Sequence, residues 1–199
     1  MQIKTKLYAT SAIEVVAMLI MAVFGSVQLM RVESVSTNIV DNNLPRINLM
    51  SGIDVDISDY RGFALEHVIA QDAVTMQNCE SKMASIRNKI EDDMNKYHGM
   101  STMQDKVQQL KEQWKEYSTI VAQMISASRK NDTAKAMQLA EDSEKSFNEL
   151  GQTILELEQA NIDVAQQDSD EGSAMAQTAI YTFLGICLVI LIFAGGVGM

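Results

Sequence analysis

Apolar residues along this chain fall into two uninterrupted blocks and four periodic stripes. The blocks are LYATSAIEVVAMLIMAVFGSVQLM, residues 7–30, and TAIYTFLGICLVILIFAGGVGM, residues 178–199. At 1.5 Å per residue the first would run about 36 Å as a helix, and each can cross the roughly 30 Å hydrocarbon layer of a bilayer. Between them, spacings of three and four predict four helices. The first runs from roughly Glu33 to Gln71 and follows on from the first block. The second takes Met76, Cys79, Met83, Ile86, Ile90 and Tyr97 as its inner stripe. It ends at YHGMST, where Gly99 suits the left-handed C′ position and Ser101–Gln104 fits a capping box. The third has the cleanest stripe: Met103, Val107, Leu110, Trp114, Tyr117, Val121 and Met124 alternate fours and threes, a heptad seam. Asn131 or Asp132 can then cap the fourth helix. Its seam reads Ala136, Ala140, Ser143, Phe147, Leu150, Ile154, Leu157, Asn161, Val164. The same register brings Asp168 and Glu171 into the seam before Met175, so packing there must rotate, loosen or hydrate.

The fold class expected is all-α, an antiparallel up-down four-helix bundle whose long first and fourth helices are continuous with two transmembrane helices. Composition agrees. One Pro, ten Gly and 6% aromatics leave little for a turn-rich β fold, and the 14 Met serve as core filler. Expected boundaries are a cytoplasmic N-terminus at 1–6, a first span at 7–30, a sensory domain at 31–177 and a second span at 178–199.

Charge sets the orientation. Lys4 and Lys6 precede the first block, which places the N-terminus in the cytoplasm and residues 31–177 outside. A signal peptide is the rival reading of that block; the length of the apolar run and the lack of an A-x-A-like site argue against it. Glu14 lies within the block, either as an interfacial acid that snorkels to the headgroups or as a polar contact to a second span. The remaining charged residues lie between Arg31 and Gln177, a segment that carries the excess of acid in a chain of formal charge −10. Such a surface repels nucleic acid. Cys79 and Cys187 fall in different compartments and cannot pair. Catalytic and phosphate-binding motifs are absent, and His67 and His98 lack a second ligand at helical spacing. No enzyme activity, metal or cofactor is expected.

The sequence resembles the four-helix-bundle ligand-binding domain of bacterial methyl-accepting chemotaxis proteins. MQIKTKL before the first span, NNLPRINLM at the start of the first helix and the arginine in DYRGFALEHVIAQD carry the likeness, completed by a long fourth helix leading to a second span. The resemblance implies a homodimeric periplasmic sensor in the bacterial inner membrane, paired through helices one and four, that binds a small anionic ligand. It also implies control of a cytoplasmic chemotaxis kinase and adaptor. The region that would reach them is missing after Met199, so either a fragment or the ordered part of a longer protein is expected. The same input module precedes histidine kinases and cyclic-di-nucleotide enzymes, which gives the alternative output.

Within the first helix, Arg61 falls on the apolar arc of Ile53, Ile57, Tyr60, Ala64, Leu65 and Val68, whereas Asp56, Asp59 and Glu66 fall on the solvent side. Asp54 stands one heptad earlier on the arc. Arg61 therefore pairs with Asp54, contacts a partner subunit, or grips a ligand carboxylate with its planar fork. In the related sensors, arginines at the distal end of the first helix hold the ligand with help from residues early in the fourth. The implied set here is Arg61, Tyr60 and His67 with Lys135, Lys145 and Asn148. By periodicity alone Tyr60 is bundle core, and Lys82 and Arg87 are weaker additions.

Overall fold

The computed structural model describes the backbone of residues 3–198 and the side chains of Tyr8 and residues 11–192. The side chains of Lys4 and Lys6, on which the expected orientation rests, lie outside the described residues. The elements are α1 (Ile3–Asn38), a π-helical turn (Ile39–Asn43), α2 (Leu44–Ile69), α3 (Ala73–Met100), α4 (Gln104–Arg129) and α5 (Thr133–Gly198). No strand occurs among the described residues. Two compact units result, one from residues 1–41 with 164–199 and one from residues 42–163.

Residues 42–163 form an antiparallel four-helix bundle of α2, α3, α4 and the first half of α5. Tight connections at 70–72, 101–103 and 130–132 force each helix to reverse on the last. Cross-helix pairs fix the directions. On α2 and α5, Ser51 meets Glu158 while Arg61 meets Glu144, so one numbering rises as the other falls. On α4 and α5, Lys106 meets Glu156 and Gln109 meets Thr153, again antiparallel. Helices α2 and α4 are the parallel diagonal pair, with Tyr60 against Trp114 and His67 against Ser128.

The predicted stripes form the core. Val107, Leu110, Trp114, Tyr117, Val121 and Met124 are all buried on α4, as are Leu150, Ile154 and Leu157 on α5. Each such aliphatic side chain contributes about 1.5–3 kcal/mol by leaving water. Asn161 stands in the α5 seam and is buried too. Its amide donates to the Tyr97 hydroxyl at 2.7 Å and to the Leu157 carbonyl at 2.8 Å, so the polar group carries no unpaired cost. The stripe then leaves the core, since Val164 is 43% exposed.

Several local expectations change. The predicted first helix is divided by the π-helical turn that ends just before Leu44–Pro45. Pro45 lacks an N–H and its ring crowds the carbonyl four residues back, so the regular ladder cannot pass and a wider turn takes its place. Gly99 is an ordinary residue inside α3; among the described residues only Asn131 has a positive φ, at 56°. The helix closes instead at Ser101, whose extended backbone lets its N–H reach the Tyr97 carbonyl. The Ser101–Gln104 box forms in altered shape: Ser101 Oγ accepts from the Met103 N–H, and the Gln104 amide donates back to the Ser101 and His98 carbonyls. Asp132 caps α5 by accepting from the Lys135 N–H. Asp72 caps α3 through the Val74 and Thr75 N–H groups, and these hydrogen bonds, Thr75 foremost, hold its carboxyl below the usual range.

The unit of residues 1–41 and 164–199 contains portions of α1 and α5 that each carry an apolar stretch long enough to cross a membrane, and none of either stretch is buried within the chain. Phe24, Leu29 and Val32 of α1 face Ile180, Phe183 and Leu184 of α5 across an apolar groove of about 430 Å³. Gly172 lets Val35 approach, because a Cβ there would lie 3.2 Å from a Val35 methyl group.

Candidate functional site

Tyr60 and Arg61 are neighbours in sequence, and the roughly 100° step between them gives each a different task. Tyr60 enters the core, edge-on to Trp114 at 5.1 Å and to Tyr117 at 6.4 Å. Tyr117 continues the cluster to Phe147 of α5 at 5.7 Å. Arg61 lies at the rim, its side chain 23% exposed, with the guanidinium 4.1 Å above the Phe147 ring. Its Nη2 donates to Glu144 Oε2 at 2.5 Å. Glu144 is 55% exposed, so the pair closes the α2–α5 edge from the solvent side.

The expected Arg61–Asp54 pair does not form. Asp54 is half-buried, and burial followed by the nearby Glu158 carboxylate pushes its pKa up. The guanidinium turns the other way because Phe147 offers a cation–π face and Glu144 a free carboxylate. Two further positions on the α2 wheel shift. Leu65, placed in the apolar arc, is 39% exposed, while Asp56, placed toward solvent, is largely covered and ion-paired with Lys89 of α3. Helix crossing explains both: α3 packs over the flank that carries Asp56 and leaves the flank of Leu65 open.

The other implied residues scatter. Lys135 is exposed, with its Nζ 3.4 Å from Gln138 on the same helix. Lys145 is exposed and pairs with Glu149, one turn on. Asn148, one turn after Glu144, is exposed. His67 is fully buried. Its Nδ1 lies 3.0 Å from Ser128 Oγ, and the Ser128 hydroxyl is 3.1 Å from the His67 carbonyl. Its Nε2 lies 3.0 Å from Glu80 Oε1, which also accepts from Arg129 Nε at 2.6 Å. Arg129 Nη2 donates to the second Glu80 oxygen. These bonds, those of Arg129 first, hold the Glu80 carboxyl down at about 2 against the burial that would raise it. The hub ties α2, α3 and α4 together beside the 70–72 and 130–132 turns.

Burial pushes the Tyr60 and Tyr117 hydroxyls above the usual phenol value, with Arg87 and Arg61 respectively pulling the other way. Arg61 and Arg87 thus sit near two different tyrosines of one aromatic cluster. Among the described residues no group of His, Cys, Asp and Glu could hold a metal ion. Glu144 was beyond sequence reasoning as a site residue. Its signal is weak but present: it follows Ser143 of the α5 seam by one position, which sets it at the edge where α2 passes.

An antiparallel helical bundle is joined here in one chain to two exposed apolar helical stretches, each long enough to cross a membrane. The chain belongs to the family described as a four helix bundle sensory module for signal transduction, whose model matches residues 1–176. No curated protein matches it.

Proposed function

We propose that this chain is the sensing and membrane portion of a chemoreceptor, lying in a bacterial inner membrane with residues 31–177 in the periplasm. It binds a small anionic ligand, an organic acid or amino acid, through its carboxylate at Arg61. The observation that carries this reading is the Arg61–Glu144 pair itself. A guanidinium that is partly desolvated and backed by an aromatic ring holds a single, exposed carboxylate. Exposed pairs contribute only about 0–1 kcal/mol, so an external carboxylate can take the place of Glu144. That exchange removes a tie between α2 and α5 and displaces α5, the element that also carries the second apolar stretch. Helices α2 and α5 also form the face through which two copies pair. The output is control of a cytoplasmic chemotaxis kinase and its adaptor.

The test is a thermal-shift screen of the detergent-solubilised chain against organic acids and amino acids, followed by calorimetric titration of the best ligand. Arg61→Ala is expected to weaken binding by about 2–4 kcal/mol, roughly 30- to 1,000-fold, with the melting temperature near wild type. Unchanged affinity in Arg61→Ala would place the ligand elsewhere and overturn the assignment.

A further inference from the structure

The hub at His67 holds a fully buried ionisable ring that the Arg61–Glu144 pair does not use, and its hydrogen bonds set how many protons the ring carries. The His67 carbonyl belongs to the last turn of α2, where carbonyls have no partner within the helix. The Ala70 N–H returns to this turn and bonds the Glu66 carbonyl instead. Among the described residues, the donor that reaches the His67 carbonyl is the Ser128 hydroxyl of α4, at 3.1 Å. A buried carbonyl without a donor is costly, so the one hydroxyl proton is committed there.

Ser128 Oγ then offers only lone pairs to Nδ1, 3.0 Å away, and Nδ1 must carry a proton. Across the ring, Nε2 stands 3.0 Å from Glu80 Oε1. Glu80 is ionised, because the hydrogen bonds of Arg129 first, and then of His67, hold its carboxyl down at about 2 against burial. A carboxylate only accepts, so Nε2 carries a proton too. With both nitrogens donating, the ring is an imidazolium, satisfied on both sides inside the core. The charged groups around it are few. Helix α3 brings Glu80, and α4 brings Arg129, which bonds both Glu80 oxygens. On α2 itself, Glu66 turns to the Cys79 thiol of α3. The start of α5 adds the buried, apolar Ala136 and Leu139 to the core.

We infer that His67, Ser128 and Glu80 form a proton switch: the doubly protonated ring leaves Ser128 free to bind the last turn of α2, and loss of one proton takes that bond away. The neutral ring has one proton for two neighbours. It keeps Nε2–H, since a bare Nε2 would set its lone pair against the Glu80 carboxylate. Nδ1 becomes an acceptor and draws the Ser128 hydroxyl proton to itself. The departing proton reaches water on the Glu80 side of the hub, where that side chain is 27% exposed. The His67 carbonyl is left without a donor, and two hydrogen bonds between α2 and α4 become one. The switch needs neither Arg61 nor Glu144.

The chain has two histidines, so labelling the solubilised full chain with ¹³C,¹⁵N-histidine gives a spectrum in which His98→Gln assigns His67. At neutral pH both ring nitrogens of His67 are expected to carry protons. As pH rises, the Nδ1–H signal should be lost while Nε2–H stays, and the His67 carbonyl ¹³C resonance should move upfield with the same midpoint. Ser128→Ala removes the acceptor of Nδ1 together with the donor to the carbonyl, so its ring should be neutral at neutral pH, with Nε2–H alone. Four results would each overturn the inference: a single ring proton in wild type at neutral pH, loss of Nε2–H in place of Nδ1–H, a carbonyl that does not move with the ring, or a doubly protonated ring in Ser128→Ala. The first three are read on the wild-type chain, so the decision does not depend on the folding of the variant.

Discussion

Replacing Glu80 by glutamine isolates what the charge of one half-buried carboxylate contributes to the bundle. The amide keeps the shape and one acceptor oxygen toward Arg129 or His67, so the change removes charge more than contact. A carboxyl whose pKa falls from 4.5 to about 2 on folding contributes at most about 3.5 kcal/mol at neutral pH. Arg129 is 59% exposed and water screens its share, which brings the expectation for Glu80→Gln to about 1–2 kcal/mol. At about 2–4 °C per kcal/mol for a chain of this size, the melting temperature should fall by roughly 2–8 °C at pH 7. The pH dependence has a definite sign. Because the folded pKa is the lower one, the contribution is fully present above pH 4.5 and is lost as pH falls toward about 2. Helix content at 222 nm, followed against temperature for both proteins at several pH values, measures this. Equal melting temperatures at pH 7 would refute the energetic role of the hub. A gap that stays constant down to pH 2 would refute its electrostatic origin.

Asn161→Ala is expected to cost about 1–3 kcal/mol in the same melts, because the buried Tyr97 hydroxyl loses its 2.7 Å partner, and Tyr97→Phe in that background should recover part of the loss. Alkaline phosphatase fused after residue 130 should be active and β-galactosidase there inactive; the reverse would exclude an extracytoplasmic sensory unit.

Much of the bundle is legible because burial repeats with the helix period. The α4 seam could be read in full, and on α5 every predicted position from Ala136 to Asn161 is buried or half-buried, even where the residue is Ser or Asn. Periodicity states which face turns inward and leaves partners open. Arg61 was legible as an inward or edge arginine, yet Glu144 and Phe147 stand more than eighty residues away, and only the register of α5 on α2 selects them over Asp54. His67 shows the same limit. It lies one heptad after Tyr60, so its burial follows from the seam, but Ser128 and Glu80 come from two other helices whose axial offsets depend on the turn geometry at 70–72 and 130–132. Turn ends are the least legible of all. Gly99 has the composition of a left-handed cap, and the chain instead closes α3 through Ser101, where an extended residue suffices.

The Arg61–Glu144 pair also makes a prediction of opposite sign to the loss of Arg61. If a ligand carboxylate must replace Glu144, the glutamate is an internal competitor, and its removal should tighten binding. The bound on the gain is what the resident pair is worth. With Glu144 55% exposed, that is no more than about 1 kcal/mol, or roughly fivefold in affinity. Glu144→Gln keeps the length of the side chain and its amide oxygen, so the Phe147–guanidinium contact at 4.1 Å should survive and the melting temperature should change little. Calorimetric titration of wild type and Glu144→Gln with the same ligand decides the matter. Tighter binding in the glutamine variant fits exchange at the guanidinium. Weaker binding would mean that the carboxylate itself belongs to the ligand site, by accepting from the ligand, and an anion would then be the wrong class. An unchanged affinity would mean that the ligand never meets this edge of the bundle and that Arg61 serves only to tie α2 to α5.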